Sequence, residues 1–450
     1  MTSITTRRTS SCRREWSWAM TVSSSTLDEV RIPSGRRVSG RLRVPSSKSL
    51  TNRYLNLALL SRAPLVLEHP LRSEDTHLFL DALRRCGFGV EEEGERVLLE
   101  PGPAPAGEVE IFCGASGTML RFLVATLAAL PGVWRLDGIP RLRERPVRPL
   151  VDALRRLGTR IDYLAAEGFV PLRIEGGTLG AGSTVIDAGE SSQYLSALLM
   201  AGLRAPGEVI VDAAALTSEP YVDITLDVVA AFGGRIEVLG PRTWRVVPSS
   251  LAAGRVEVEG DWSAAAYPAA AAALTRGEVT LTGLLQTSRQ GDRGFADLLA
   301  AMGAEVAWEA GAMTVRGGAP LRGVEADLSA MPDQVPTLAA LAPFAQGTTR
   351  IFNVAHLRIK ESDRLEAMAT ELRKLGAAVE EGPDWLRLAG TWAETVPADA
   401  AEVRIDPRGD HRIAMACALV GLRRPGVVIT TPGVVAKSYP EFWRDLASLT

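Results

Sequence analysis

The chain repeats one structural unit about every 70–80 residues, and this repeat most limits the folds open to it. Five amphipathic segments end at a glycine, which is typical of a helix C-terminus. These glycines are Gly87, Gly158, Gly233, Gly303 and Gly376. A second, largely apolar helix is expected six times, each followed by a small turn and a β-branched strand, at Ala63-Pro64, Pro131-Gly132, Pro206-Gly207, Gly277, Gly347 and Pro425-Gly426. The period suits a β-α-β-α-β-β module. We therefore predict an α/β fold with two similar domains of three modules each, in which the apolar helices are buried.

Composition narrows the class of protein. The 450 residues are enough for two domains, and 46% hydrophobic with 23% charged residues is ordinary for a globular enzyme. The net charge of -3 favours neither nucleic acid nor a membrane surface. The Ala-rich stretch Ala264–Leu274 is too short to span a bilayer and is interrupted by Tyr267 and Pro268. An anionic ligand would have to be attracted by a local cluster of cations.

The N-terminus and the cysteines bear on processing and location. Residues 1–26 are rich in Ser, Thr and Arg without core periodicity, and we interpret them as a disordered extension or as a start assigned too early, with Met20 the true beginning. They have some transit-peptide character but lack the apolar run of a secretory signal. The four cysteines show no CxxC spacing: Cys12, Cys86, Cys113 and Cys417. This favours free thiols and a location in the cytoplasm.

Lysine is scarce, since only four of the 50 basic residues are lysine. Lys48, Lys360 and Lys437 lie in short polar segments at expected helix starts or loops. A compact ammonium differs from a guanidinium as a point donor that can also give up a proton. These three lysines are therefore candidate functional residues, although chance survival is the alternative.

Polar residues begin all six apolar helices: Lys48-Ser49, Ser116-Gly117-Thr118, Ser191-Ser192-Gln193, Asp261-Trp262-Ser263, Asp333-Gln334 and Asp410-His411-Arg412. Most of them suit helix capping. Capping does not explain the cations Lys48, Arg53 and Arg412, because the helix dipole disfavours positive charge there. Helix N-termini combined with Lys and Arg make an anion site. Several such termini meeting in one cleft predict a substrate with more than one anionic group.

Seven motifs in order carry a resemblance to a known family: Ser47-Lys48-Ser49-Leu50-Thr51-Asn52-Arg53, Ser116-Gly117-Thr118-Met119-Leu120-Arg121, Arg143-Glu144-Arg145-Pro146, Ser191-Ser192-Gln193-Tyr194-Leu195, Lys360-Glu361-Ser362-Asp363-Arg364, Gly409-Asp410-His411-Arg412 and Ala436-Lys437-Ser438-Tyr439-Pro440. From about Val30 to the C-terminus the chain resembles the 5-enolpyruvylshikimate-3-phosphate synthases. The resemblance implies the inverse α/β barrel of the enolpyruvyl transferases, with the active site in the interdomain cleft. It implies one domain of residues 47–260 and a discontinuous one of 27–46 plus 261–450, which agrees with three apolar helices before Gly260 and three after it.

The reaction implied is transfer of the enolpyruvyl group of phosphoenolpyruvate to the 5-hydroxyl of shikimate 3-phosphate, releasing phosphate through a tetrahedral intermediate. No phosphoryl group is transferred, so we expect no cofactor and no metal. The sequence has no GxxxxGK[ST], no HExxH and no carboxylate triad at metal spacing. A monomer is the family expectation.

Residue roles follow from the resemblance, position by position. The residues matching the shikimate 3-phosphate site are Lys48, Ser49, Arg53, Ser191, Ser192, Gln193, Ser218, Tyr221, Asp333, His356 and Lys360. Those matching the phosphoenolpyruvate site are Lys48, Gly117, Thr118, Arg145, Gln193, Arg364, Arg412 and Lys437. The expected catalytic residues are Asp333 as acceptor of the hydroxyl proton, with Lys48 and Glu361 for the remaining proton transfers. His411 is expected to orient Arg412.

Three positions depart from the family pattern. Ala115 replaces a usual Asn and Phe122 a usual Pro, both flanking Gly117 in the pocket where glyphosate competes with phosphoenolpyruvate. His356 stands where an Asn commonly contacts a ring hydroxyl. If His356 changes charge near neutrality, substrate affinity would depend on pH.

Two alternatives remain open from the sequence. The related transferase acting on UDP-N-acetylglucosamine shares the fold, but it places a reactive Cys in the loop equivalent to Asp137–Pro146, and this loop has none. A non-catalytic repeat scaffold would explain the caps but not the clustered cations Lys48, Arg145 and Lys437.

Overall fold

The computed structural model describes residues 28–393, 395–396 and 398–450. The prediction for residues 1–26 lies outside these. The described residues form twelve α-helices, numbered here in chain order: α1 Lys48–Ser61, α2 Glu74–Arg85, α3 Gly117–Ala129, α4 Arg148–Arg156, α5 Ser192–Gly202, α6 Pro220–Ala231, α7 Trp262–Thr275, α8 Gly294–Ala301, α9 Val335–Leu341, α10 Arg364–Lys374, α11 His411–Gly421 and α12 Phe442–Leu449. The six odd-numbered helices are the predicted buried ones, and the even-numbered helices alternate with them.

The strands of the described residues are β1 Glu29–Arg31, β2 Ser39–Arg43, β3 Leu65–Glu68, β4 Phe88–Glu93, β5 Arg96–Pro101, β6 Glu108–Phe112, β7 Gly132–Asp137, β8 Arg160–Tyr163, β9 Leu172–Gly176, β10 Gly182–Ala188, β11 Val209–Leu216, β12 Arg235–Gly240, β13 Thr243–Val247, β14 Gly254–Glu257, β15 Glu278–Thr282, β16 Glu305–Glu309, β17 Ala312–Arg316, β18 Glu325–Asp327, β19 Thr348–Phe352, β20 Val379–Glu381, β21 Leu386–Ala389, β22 Val403–Ile405 and β23 Val427–Thr430. They make six small sheets, five of four strands and one of three.

Each four-stranded sheet joins a parallel pair to an antiparallel hairpin. In β6-β7-β9-β8 the pair β6 and β7 is parallel, and β9 is antiparallel to both β7 and β8. A buried helix crosses between the parallel strands, as such connections require, and an amphipathic helix leads into the hairpin. This is the predicted β-α-β-α-β-β module.

The first and fourth modules exchange their first strands. Strand β2 pairs in parallel with β15, whereas β14 pairs in parallel with β3, so each completes the sheet of the other module. Strand β1 pairs antiparallel with β23 and completes the three-stranded sheet of the last module. The two connections run side by side, since Ser46 and Gly260 form an isolated bridge.

The buried apolar side chains form two separate clusters. One contains side chains between Leu50 and Val258. The other combines Val30, Ile32, Val38 and Val44 with side chains between Trp262 and Leu449. Among the described residues the boundary between the two clusters falls near Ser46 and Gly260, and the two-domain division stays a prediction.

Five of the six buried helices begin at a residue whose side chain caps the helix. Ser47, Ser116, Ser191, Asp261 and Asp410 accept hydrogen bonds from backbone N–H groups in the first turn of their helices. Helix α9 differs, because a 3₁₀ turn, Pro332–Gln334, precedes it and no side chain caps it. Asp333 is therefore released for other contacts. None of the described helices is long and apolar enough to cross a lipid bilayer.

Candidate active site

A cavity open to solvent lies between the two halves of the chain. Its lining comprises Lys48, Ser49, Asp75, Gly117, Thr118, Arg145, Ser191, Ser192, Gln193, Thr217, Ser218, Tyr221, Pro332, Asp333, Lys360, Glu361, Arg364, His411 and Arg412. These residues come from the starts of α1, α2, α3, α5, α6, α10 and α11 and from the loops beside them. The structure thus brings together all the predicted site residues except Arg53, His356 and Lys437.

The lining carries more positive than negative charge. Five cationic side chains, Lys48, Arg145, Lys360, Arg364 and Arg412, face three carboxylates, Asp75, Asp333 and Glu361. Most of the remaining polar residues of the lining are Ser and Thr. Such a cavity attracts anions.

The start of α3 and Arg145 make one anion-binding wall. Ser116 caps the helix, and in the described residues the N–H groups of Gly117 and Thr118 have no hydrogen-bond acceptor. Arg145 lies against Gly117 so closely that a Cβ there would be 2.7 Å from the guanidinium carbon. Glycine is therefore the residue that permits a guanidinium and free N–H groups to share this surface.

Asp333 links the two arginines on the other side of the cavity. Its Oδ1 accepts a hydrogen bond from Arg364 at 2.8 Å, and its Oδ2 accepts one from Arg412 at 2.5 Å. Burial alone would raise the pKa of Asp333, but the charges of Arg412 and Arg364 hold that pKa below its usual range. A carboxylate held in this way is a weak base.

Glu361 is held by cations in the same way. Its carboxylate accepts from Arg364 at 2.9 Å and lies 3.7 Å from Arg145 and 4.0 Å from the Lys437 ammonium. Burial opposes ionisation, yet these cations place the pKa of Glu361 well below its ordinary value. In this arrangement Glu361 is an anion and not a proton donor.

Asp75 stands between two of the scarce lysines. Its carboxylate is 3.5 Å from Lys48 Nζ and 3.3 Å from Lys437 Nζ. Lys437 also donates to the backbone oxygen of Ala115 at 2.9 Å, which joins the two halves of the chain. Because this bond uses the main chain, the departure at Ala115 leaves it intact.

Lys360 is the one cation of the cavity lining that has no carboxylate partner among the described residues. Among the described residues no carboxylate lies within 4.0 Å of its ammonium, which faces the cavity. Burial, together with the charges of Arg121 and Arg145, lowers the pKa of Lys360 to about 7. An anion beside it would raise that pKa again.

Hydroxyl groups cluster around the starts of α5 and α6. Ser218 has φ of +52°, uncommon for a non-glycine residue and a form of strain often found at functional sites, and donates to the backbone oxygen of Ser329 at 3.1 Å. The Tyr221 hydroxyl lies 3.2 Å from an oxygen of Asp292 and 3.4 Å from one of Asp333. Burial, with Asp333 nearby, raises the pKa of Asp292 to about 6.

Three predicted residues lie behind the lining. Lys437 contacts Asp75, as described. Arg53 donates to Thr225 Oγ1 at 2.8 Å and to the backbone oxygens of Ser49 at 2.9 Å and Tyr221 at 2.8 Å. No carboxylate lies within 4.0 Å of Arg53 among the described residues, and burial lowers the pKa of Arg53 to about 9. The Arg53 guanidinium lies over the Phe122 ring, 5.3 Å from its centroid. Phe122 thus supports a site cation from beneath.

His356 contradicts the expectation of a charge change near neutrality. Burial, and then the charge of Lys360, lower the pKa of His356 to about 4. The ring is therefore neutral between pH 5.5 and 8, and its Nε2 has no hydrogen-bond partner among the described residues. The prediction of a His356-driven pH dependence is wrong for this reason.

The lining includes residues that sequence reasoning missed. Asp75, Thr217 and Pro332 were not predicted, and His411 was assigned only an orienting role. Asp75 sits in the first turn of α2 behind the cap Ser73, a place where an acidic residue is ordinary. No pattern in the sequence distinguishes it. No cluster of three or more His, Cys, Asp or Glu side chains suited to a metal occurs among the described residues.

Comparison with solved structures gives the class of the fold. The structure matches EPSP synthase from Acinetobacter baumannii with a TM-score of 0.78 and 27% identity, covering 93% of this chain and 97% of that one. It also matches the enolpyruvyl transferase NikO from Streptomyces tendae with a TM-score of 0.73 at 22% identity, over 94% of this chain and 97% of the other. The chain therefore has the enolpyruvyl transferase fold, with the mixed α/β modules predicted for it.

Sequence comparison gives the family. The model of the EPSP synthase (3-phosphoshikimate 1-carboxyvinyltransferase) family matches residues 32–446. The 3-phosphoshikimate 1-carboxyvinyltransferase of Syntrophobacter fumaroxidans is 46% identical over 418 residues, covering 92% of this chain and 97% of the relative. The 3-phosphoshikimate 1-carboxyvinyltransferase of Thiobacillus denitrificans is 43% identical over 436 residues, covering 94% of this chain and 100% of the relative. The chain belongs to the EPSP synthase family, and the predicted resemblance is confirmed.

Proposed function

We propose that this protein transfers the carboxyvinyl group of phosphoenolpyruvate to the 5-hydroxyl of shikimate 3-phosphate and releases phosphate. Family membership supports this reaction over both alternatives, the UDP-N-acetylglucosamine transferase and the scaffold. The observation that carries the proposal is one cavity lined by five cations, three carboxylates and the starts of several helices. Two substrates that bear phosphate and carboxylate groups suit such a lining.

Shikimate 3-phosphate would occupy the side of the cavity formed by α5, α6 and α1. In this proposal its phosphate is bound by the hydroxyls of Ser191, Ser192 and Ser218, and its ring carboxylate by Ser49. Arg53 would act from behind Ser49, whose backbone oxygen it holds. Lys360 would face the ring hydroxyls, with His356 behind it.

Phosphoenolpyruvate would lie against α3 and the two linked arginines. Its phosphate would accept hydrogen bonds from the N–H groups at Gly117 and Thr118 and from Arg145, with Lys48 and Lys437 nearby. Gln193 would extend this side, since its amide is already fixed by Arg121 at 2.6 Å and Thr118 at 2.9 Å. Arg364 and Arg412 would take the carboxylate, as the planar guanidinium suits.

The chemistry begins with proton transfers at two centres. The 5-hydroxyl forms a C–O bond to the enol carbon and its proton passes to Asp333, while the neighbouring methylene carbon gains a proton and becomes a methyl. The resulting tetrahedral intermediate then loses phosphate by cleavage of its C–O bond, and the methyl returns a proton so that the double bond reforms. Lys48 and Glu361 are the proposed partners for the carbon-centred proton.

Substrate binding would activate both carboxylates through the cations that restrain them. Asp333 is a weak base while Arg364 and Arg412 donate to it. A bound carboxylate competes for those two guanidinium groups, so the pKa of Asp333 rises toward its usual value. A phosphate beside Arg145 and Lys437 acts in the same direction on Glu361. The site thus gains its acid–base capacity only when both anions are present.

Phosphate release tests the proposed reaction. We expect the protein to release inorganic phosphate from phosphoenolpyruvate when shikimate 3-phosphate is present, and not when UDP-N-acetylglucosamine replaces it. A mixture without any acceptor is the control for slow hydrolysis. Release with UDP-N-acetylglucosamine alone would favour the related transferase, and release with neither acceptor would contradict both assignments.

Lys360 predicts proton uptake on binding. With its pKa lowered to about 7, Lys360 is mostly neutral at pH 8. Although Lys360 would face the ring hydroxyls, the phosphate and carboxylate of shikimate 3-phosphate in the same cavity favour its protonated form. Binding of shikimate 3-phosphate at pH 8 should therefore take up close to one proton, falling toward none at pH 6. Calorimetry in buffers of different ionisation enthalpy measures this number. Lys360→Met should abolish the uptake, whereas Lys374→Met, on the outer helix α10, should not.

Lys360 also predicts that the free energy of unfolding depends on pH. A lowered folded-state pKa means that the unfolded chain binds more protons between about pH 7 and the ordinary lysine range near 10.4. The contribution of Lys360 to the free energy of unfolding therefore increases as pH rises through that window. Comparing denaturant unfolding of the wild-type protein and Lys360→Met at pH 7 and pH 9 isolates this slope. An identical pH dependence in the two proteins would contradict it.

We further propose that the protein acts in the cytoplasm as a monomer. The monomer is the expectation for the family. The three cysteines among the described residues, Cys86, Cys113 and Cys417, are free and buried, which suits a reducing compartment.

A further inference from the structure

Arg141 reaches across the cleft from outside the cavity. It precedes the 3₁₀ turn Leu142–Glu144, in the half of the chain that contains α3. Its Nε donates to the backbone oxygen of Glu361 at 3.1 Å, and its Nη2 to that of Lys360 at 3.0 Å. The acceptors are about 220 residues away in the chain and belong to the opposite half.

The two carbonyls that accept these bonds lie in a segment without regular backbone pairing. Lys360 and Glu361 lie between the 3₁₀ helix Ala355–Ile359 and α10, outside regular secondary structure. In the part of the chain that the structure describes, no backbone N–H donates to either carbonyl. Yet the side chains of both residues line the cavity. Arg141 is therefore the anchor of the two carbonyls, and it acts beside the side-chain bonds of Arg364 to Glu361 and of Ser362 to Asp410.

A guanidinium suits this task because two of its N–H groups point in parallel at neighbouring acceptors. Lysine offers a single point donor and could hold one carbonyl well. The third contact of Arg141, to Glu144 Oε2 at 2.7 Å, orients the guanidinium from its own turn. The side chain is 40% exposed and is absent from the cavity lining, so it does not touch a ligand there.

We propose that Arg141 is a positioning residue that fixes the main chain of Lys360 and Glu361 from the opposite half of the molecule. Its role in turnover rests on the proposed function, because Lys360 and Glu361 are assigned to substrate binding and proton transfer there. It acts only when the two halves are close together. Its loss should loosen this segment and misplace both side chains without removing any group from the cavity.

Two variants on one turn test this role. Arg141→Ala removes the two cross-cleft bonds, whereas Arg143→Ala removes only a local pair, since Arg143 donates to Asp137 at 2.9 and 2.5 Å. Hydrogen–deuterium exchange of peptides spanning residues 360–363, measured on the full chain without substrates, should be faster in Arg141→Ala and unchanged in Arg143→Ala. Arg141→Lys should be intermediate. Arg141→Gln replaces the alanine variant if that protein does not fold.

Kinetics supply the second readout. Charge-assisted hydrogen bonds are strong enough that Arg141→Ala should lower kcat/KM for phosphoenolpyruvate by roughly tenfold or more, with partial recovery in Arg141→Lys and near wild-type values in Arg143→Ala. Equal exchange at residues 360–363 in Arg141→Ala and wild type would overturn the positioning role, whatever the activity. Inactivity of the wild-type protein would instead overturn the proposed function, and the exchange comparison would still decide whether Arg141 holds the segment.

Discussion

Asp333→Asn should lower kcat by about a thousandfold, within the range that a general base contributes. The amide cannot accept the hydroxyl proton, and it removes the negative charge between Arg364 and Arg412. Affinity for phosphoenolpyruvate should be retained or increased, because its carboxylate no longer competes with Asp333 for the two arginines. Steady-state kinetics combined with equilibrium binding separates these effects, since kcat falls while binding does not.

The variant should also be less stable without ligand, because Arg412 loses its carboxylate partner whereas Arg364 keeps Glu361 and Asp410. Breaking a buried pair on one side costs up to about 3–5 kcal/mol. An anion at the two arginines should restore part of this loss, which thermal unfolding with and without phosphoenolpyruvate measures. Asp81→Asn is the control, since Asp81 forms an exposed pair with Arg85 on α2. A folded Asp333→Asn protein with kcat within tenfold of wild type would exclude Asp333 as the base.

The fold was largely predictable because its elements repeat. Glycine turns and apolar helix starts recur in register, and the six buried helices begin at or next to the predicted residues. The resemblance placed residues 27–46, which contain β2, with the C-terminal half, but residue patterns alone did not show that β2 pairs with β15 or that β14 pairs with β3. Both strands are short and mostly exposed, so their composition does not identify which sheet each one joins.

The site was predictable to the extent that its residues lie in recognisable motifs. Lysine scarcity and cations at helix starts pointed to Lys48, Lys360 and Arg412 before any resemblance was used. Asp75 could not be found in this way, because a helix cap explains it fully at the level of sequence. The charge state of His356 also required the structure, since its pKa depends on burial and on the nearby Lys360.

Gly117→Ala should specifically weaken the binding of phosphoenolpyruvate. A Cβ at this position would lie 2.7 Å from the guanidinium carbon of Arg145 and 2.8 Å from both of its terminal nitrogens, closer than real Cβ contacts. Arg145 is buried and paired with Glu361, so it has little freedom to withdraw. The methyl group would also cover N–H groups at the start of α3. We expect KM for phosphoenolpyruvate to rise by about 10–100-fold, as for loss of a charge-assisted hydrogen bond, with little change in shikimate 3-phosphate binding.

Gly294→Ala is the matched control for that substitution. Gly294 is likewise the first residue of a helix, α8, but a Cβ there would meet only Met331, at 3.5 Å or more, which is ordinary contact. Both changes replace glycine by a better helix former, so any effect of helix propensity is shared. A rise in KM confined to Gly117→Ala therefore reports on the guanidinium and not on the helix. Equal KM values in the two variants would mean that Arg145 can move aside, and that the phosphate does not depend on this wall of the cavity.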